Sequence, residues 1–147
     1  MLWLAHTDAD THVPPDWLTR QLHYAALGYD AVAGVVDVDS FDEYPLDVID
    51  AFAERYGTGL TDHHTHVHGA NLGVRASAYR RVGGWPAMAL SEDHGLWNLL
   101  NAYGHPTIAE RTVRVTTSGR AVSRCPGGFA DVLRKLAGFV PLSELAI

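Results

Sequence analysis

"LWLAHTDADTHVPPDWLTRQLHYAALG", residues 2–28, decides the fold class. The apolar run over residues 2–5 suits a buried strand better than a helix, and it ends in the polar "TDADT". Pro14 and Pro15 then open a helix, because a proline in the first turn lacks an N–H that would have no intrahelical partner anyway. Asp16 falls in the first turn and Gly28 marks the stop, while Trp17, Leu18, Leu22, Ala25 and Ala26 recur at the spacing of a helix laid on a sheet. Strand, loop and helix in this order predict an α/β architecture, with Asp8 and Asp10 at the strand's C-terminal end.

The same alternation continues along the chain. "DAVAGVVDV" (30–38) is short and β-branched, a second strand, and a loop then leads to a helix from about Pro45 to Tyr56, stopped by Gly57. "HHTHVHGANLGVR" (63–75) reads as an extended segment, and "ASAYRRVGGW" as a short helix broken by Gly83 and Gly84. "SEDHGLWNLLNAYG" is a helix with Ser91 as its N-cap, Glu92 and Asp93 in its first turn, and Gly104 as its end. One or two short strands in "TIAERTVRVTTSGR" and an amphipathic helix in "GGFADVLRKLAGF" complete a single domain over residues 1–147, without internal repeat or long linker.

Seventeen acidic against eleven basic residues give a net charge of −6, which argues against a nucleic-acid partner, whose backbone requires clustered Lys and Arg. A single cysteine, Cys125, excludes an internal disulfide framework and a Cys-rich zinc site and suits the cytoplasm. No apolar run reaches the roughly 18–20 residues that span a bilayer, and the N-terminus lacks the form of a secretion signal.

Four groups of residues carry chemistry. Asp8 and Asp10 can converge on a hard divalent cation such as Mg²⁺ or Mn²⁺, which takes one or two carboxylates and leaves its other positions to water and substrate phosphates; the plain alternative is a turn or helix cap. In Glu92 and Asp93 a carboxylate can face a cleft as a general base for a hydroxyl nucleophile, although the helix dipole alone explains acidic residues there. His63, His64, His66 and His68 could chelate a transition metal in pairs two residues apart, contact substrate oxygens, or form a polar strand. Gly69, Gly73, Gly83 and Gly84 suggest close backbone approach, Trp85 a stacking face for a sugar, and Arg120 on the "TTSGR" loop a phosphate partner, a solvated arginine being the commoner outcome. Trp97 belongs to the core, and His6, His12, His23, His94 and His105 have surface or packing roles.

Taken in order, "TDADTHVPPDWL", "HGANLGVRASAYRRVGGWP" and "SEDHGLW" resemble the family 2 glycosyltransferases of the GT-A fold, over most of residues 2–104. The resemblance implies a partial GT-A mixed sheet flanked by helices, with the Asp-x-Asp loop at 7–12, an acceptor-side region at 63–104 and a C-terminal strand and helix over 107–147. It implies an inverting transferase that moves a sugar from a nucleotide-diphosphate donor to a hydroxyl acceptor with Mg²⁺ or Mn²⁺. Asp10 would be the direct metal ligand and Asp8 would contact ribose or metal-bound water. Asp93 would be the base, Glu92 its assistant, and Arg120 a donor-phosphate contact. His68, Gly69, Asn71, Gly84 and Trp85 would line the donor and acceptor region. Many members offer the metal a later histidine, whereas no histidine follows His105 in this chain.

In that family a nucleotide-binding half precedes the Asp-x-Asp loop, so the resemblance implies two or three further strand–helix units of about 30 residues each that this sequence does not contain ahead of Met1. A parallel-sheet strand stripped of its neighbours would expose an edge, which predicts self-association or pairing with a separate N-terminal half. The competing readings are a non-catalytic remnant or partner subunit of a split enzyme, and a small zinc-binding domain centred on residues 63–68.

Overall fold

The run Ala31–Val38 forms the central strand, β3, of a five-stranded sheet in the computed structural model, which describes residues 1–57, 66–122 and 128–138. The other strands are β1 (Trp3–His6), β2 (Thr11–His12), β4 (Leu72–Arg75) and β5 (Thr107–Thr117), and the spatial order is β1-β4-β3-β5-β2. The helices are α1 (Trp17–Ala26), α2 (Asp47–Phe52), α3 (Ala76–Arg81), α4 (Glu92–Ala102) and α5 (Phe129–Leu136). Among the described residues no helix is long and apolar enough to cross a membrane.

The sheet is mixed. β1 and β3 each pair β4 antiparallel, and β2 pairs β5 antiparallel. β3 and β5 run the same way: the Asp30 and Ala31 N–H groups donate to the Pro106 carbonyl at one end, and Arg114 grips the Asp37 carboxylate through two bonds of 2.7 and 2.9 Å at the other. β3 is buried over its first six residues, as a small, β-branched strand covered on both faces must be.

The chain falls into two compact units, Met1–Asp37 with Gly59–Thr117 and Val38–Thr58 with Ser118–Ile147. In the first, one sheet face packs Ala31, Ala33, Leu72 and Val74 against Ala78 and Val82 near α3 and Leu96 and Leu100 of α4, with Trp97 against the same cluster as expected. The other face carries α1, whose Arg20 donates to the Thr112 carbonyl at 3.2 Å. α1 turns Trp17, Gln21 and Ala25 inward and leaves Leu18 47% exposed, contrary to the apolar stripe read from sequence. Gln21 enters the interior because Trp3 Nε1 donates to its Oε1 at 2.9 Å, in a notch left by Gly73, where a Cβ would crowd both side chains.

β1 is the exposed edge that a strand without its neighbours would present, but its pairing is antiparallel where a parallel-sheet strand was expected. It is an edge strand, antiparallel to its single neighbour and largely exposed, with Met1 77%, Leu2 69% and Leu4 38% accessible. Together with Tyr79 and Arg80 these residues line an open groove of about 550 Å³. An apolar tetrapeptide reads alike in a central and an edge strand, and only the pairing distinguishes them.

Asp30, at the entry to β3, accepts from Arg75 Nε at 2.6 Å and His105 Nδ1 at 2.8 Å. Burial alone would raise its pKa, but the bonds from His105 and Arg75 and the guanidinium charge outweigh it and hold the carboxyl below its ordinary value of 3.8. The stability Asp30 contributes is therefore present above that value and is lost as pH falls through the lower folded pKa. Asp30→Asn should flatten the acid limb of the unfolding midpoint between about pH 5 and pH 2, followed by circular dichroism; an unchanged limb would show that other carboxylates govern it.

In the second unit Phe52 packs against Phe41, Tyr56 and Phe129 at centroid distances of 5.4, 4.9 and 6.3 Å. The helix read over 45–56 is present, as α2 to Phe52 and then a π-helical turn over Ala53–Gly57. Gly119 is required because a Cβ there would strike the Ser40 carbonyl, and its N–H donates to Asp39 Oδ1 at 2.8 Å.

Candidate active site

The Asp-x-Asp segment leaves β1 at one edge of the sheet and enters β2 at the other. From His6 to Thr11 the chain spans at most about 17 Å, less than the roughly 19 Å that four strand spacings require in a flat sheet. The sheet therefore curls. A turn within the segment, with Thr11 N–H donating to the Asp8 carbonyl at 3.2 Å, shortens the reach further, and Thr11 Oγ1 donates to Thr117 Oγ1 at 3.0 Å where the far edge is met. Neither aspartate caps α1, whose N-cap, Asp16, makes no side-chain cap bond.

Asp8 reports on its surroundings electrostatically. Its pKa is raised, first by loss of hydration beneath neighbouring atoms even though the side chain still reaches solvent, and then by the Asp10 charge; Glu92 and Asp93 push the same way, and His6 opposes them. Two motifs some eighty residues apart in sequence thus share one field. Asp10, Glu92 and Asp93 all act on the Asp8 carboxyl in one direction, against its charged form, and Asp8 with Asp10 are the pair that would hold a divalent cation, water and phosphate completing the shell. Among the described residues no group of three or more His, Cys, Asp or Glu is gathered closely enough to hold a metal by itself.

Asp93 is the better fixed of the second pair. Gly69 N–H donates to its Oδ2 at 3.0 Å and the His94 N–H to its Oδ1 at 2.7 Å. Glu92 is exposed beside it. Ser91 does not cap α4 with its side chain as expected. It adopts the left-handed conformation, φ 59° and ψ 32°, a strained choice for a non-glycine residue and of the kind that collects at functional sites.

Around these acids, Gly69 lies between His6 and Asp93, a Cβ on it falling 3.9 Å from the His6 ring and 4.0 Å from Asp93 Cβ. The Trp85 ring stands 5.2 Å from His6, and its backbone N–H donates to the Tyr79 hydroxyl at 3.2 Å. Gly83 and Gly84 owe their presence to positive φ of 86° and 79° in the turn that ends α3, and Gly84 also packs under the Tyr79 ring. His66 and His68 stack nearly parallel, 6.2 Å apart, as residues sharing one face do; His63 and His64 lie outside the described residues. Arg120 belongs to the second unit, where its carbonyl accepts the Tyr44 hydroxyl at 3.0 Å.

Asn71 is fully buried and serves the frame. Its Nδ2 donates to the carbonyls of Val35 on β3 and Val113 on β5 at 2.8 and 2.9 Å, and its Oδ1 accepts from Trp17 Nε1 at 2.8 Å. A Cβ at Gly34 would collide with this carboxamide. The residue that sequence reading passed over is His6, whose Nδ1 lies 2.5 Å from the Gly69 carbonyl oxygen; a lone histidine at a strand end gives no signal of such a role.

Compared with known proteins, the chain matches no family model and none of the curated proteins.

Proposed function

We propose that the first unit carries the cation and acceptor side of a sugar-transfer site, of the kind the family 2 glycosyltransferases use, and that it acts on a nucleotide-diphosphate sugar and a hydroxyl acceptor. The observation that supports this reading is the shared field at Asp8, which feels Asp10, Glu92 and Asp93 together. Asp10 and Asp8 would hold Mg²⁺ or Mn²⁺, which when bound neutralises a departing diphosphate. Asp93 accepts the proton of the acceptor hydroxyl, with two backbone N–H groups fixing its carboxylate, and Glu92 orients the acceptor. Trp85 offers an apolar face beside the acids, His68 and Gly69 shape the wall, and Asn71 and Gly84 hold the frame under it.

Calorimetry with UDP and GDP, with and without Mn²⁺, tests this: the expected result is nucleotide binding that needs the metal and disappears in Asp10→Ala. Absence of such binding favours a non-catalytic remnant or partner subunit, and stoichiometric zinc lost in His66→Ala favours a zinc domain built on the stacked pair.

The open β1 edge supports a partner, either a second copy or a separate nucleotide-binding half. β1 carries no Lys, Pro or acidic residue to discourage pairing, and Leu2 and Leu4 stand exposed beside it. Sedimentation should show concentration-dependent self-association that Leu4→Lys abolishes; a monomer at every concentration would count against pairing between copies.

A further inference from the structure

Three segments carry the candidate motifs, and one side chain outside all of them ties two together. His6 ends β1, and its Nδ1 lies 2.5 Å from the carbonyl oxygen of Gly69. A carbonyl only accepts, so Nδ1 carries the proton and the contact selects the tautomer. The N–H of the same glycine donates to Asp93 Oδ2 at 3.0 Å. Trp85 supports the imidazole, its ring 5.2 Å away and inclined by 59°. The Gly69 backbone thus touches both groups, and a Cβ on it would lie 3.9 Å from the imidazole and 4.0 Å from Asp93 Cβ.

We propose that His6 is a positioning residue for Asp93, acting through Gly69. This rests on the sugar-transfer reading, in which Asp93 takes the acceptor's proton. By holding the Gly69 carbonyl, His6 sets the orientation of that residue and so aims its N–H at Oδ2. With the His94 N–H on Oδ1, the carboxylate is fixed at both oxygens, and each keeps a lone pair for a hydroxyl. General-base catalysis depends steeply on such aim, since displacement of a reacting group by about 1 Å lowers rate by about a hundredfold. A purely structural tie would affect stability and leave the carboxylate's orientation alone.

His6→Phe keeps a ring against Trp85 and removes the donor. Magnetic resonance reads the Gly69 amide proton and the Asp93 carboxyl carbon, both of which should move in the variant toward their unbonded positions. Mn²⁺-dependent hydrolysis of UDP- and GDP-sugars, with water as acceptor, should lose about ten- to a hundredfold in kcat with KM held within about twofold. Unmoved resonances in a folded variant, or moved resonances with kcat intact, overturn the proposal. Should His6→Phe fail to fold, the wild-type imidazole ¹⁵N spectrum in alkaline buffer decides: an Nδ1–H tautomer supports the proposal and an Nε2–H tautomer overturns it. A wild-type chain without turnover sinks the sugar-transfer reading, while the resonances still decide whether His6 holds Asp93.

Discussion

Asp10→Ala should weaken Mn²⁺-dependent binding of UDP or GDP by at least about a hundredfold, equivalent to about 2.8 kcal/mol. A hard cation bound by one or two carboxylates depends on each of them, because water replaces a lost ligand without its charge. Asp10 is the more enclosed of the pair, whereas Asp8 is exposed, so Asp8→Asn should cost less than Asp10→Ala. Neither change should disturb the turn, which is closed by the backbone bond from Thr11 to Asp8. Equal affinity in wild type and Asp10→Ala, by calorimetry, would remove the cation from the proposed site.

The second large effect is on stability. Asn71→Leu keeps the branched shape and heavy-atom count but strands the Trp17 indole N–H and strips a donor from the carbonyls of Val35 and Val113. Each buried polar group left unpaired costs about 1–3 kcal/mol, so a loss of about 3–5 kcal/mol is expected. That is a large share of the 5–15 kcal/mol or so typical of a folded domain. Urea unfolding measures it, and a loss under about 1 kcal/mol would show that the two strands hold together without the carboxamide. Asn71 joins neighbours that backbone bonding alone already places side by side, so its importance follows from the wedge it occupies opposite Gly34.

Much of the architecture is legible in the sequence because it depends on local chemistry. The prolines, Gly28, the β-branched run at 31–38 and the acidic start of α4 each mark an element by its own conformational preference. What escapes is set by partners distant in sequence. Leu4 reads as buried until pairing puts β1 at the edge, and Gln21 reads as solvent-facing until Trp3 bonds it and Gly73 gives it space. Ser91 reads as a cap until its backbone turns left-handed. Within the candidate site the two acidic motifs are visible from residue type and spacing. Their common electrostatic surroundings follow from the pairing of β1 with β4, which sets residue 6 beside Gly69 and the Asp93 bound to it and which no local pattern encodes, and His6 becomes informative only once Gly69 lies beside it.

The acidic turn stitches one margin of the sheet to the other, and this has a kinetic consequence. β1 must find residues 72–75, and Thr11 must find Thr117, a separation of 106 positions. Such contacts close long loops and are reached slowly on the way to the native state. The aspartates are therefore among the first residues in the chain yet among the last to acquire their geometry, and a fragment ending before Thr117 would hold the motif without the girdle that shapes it.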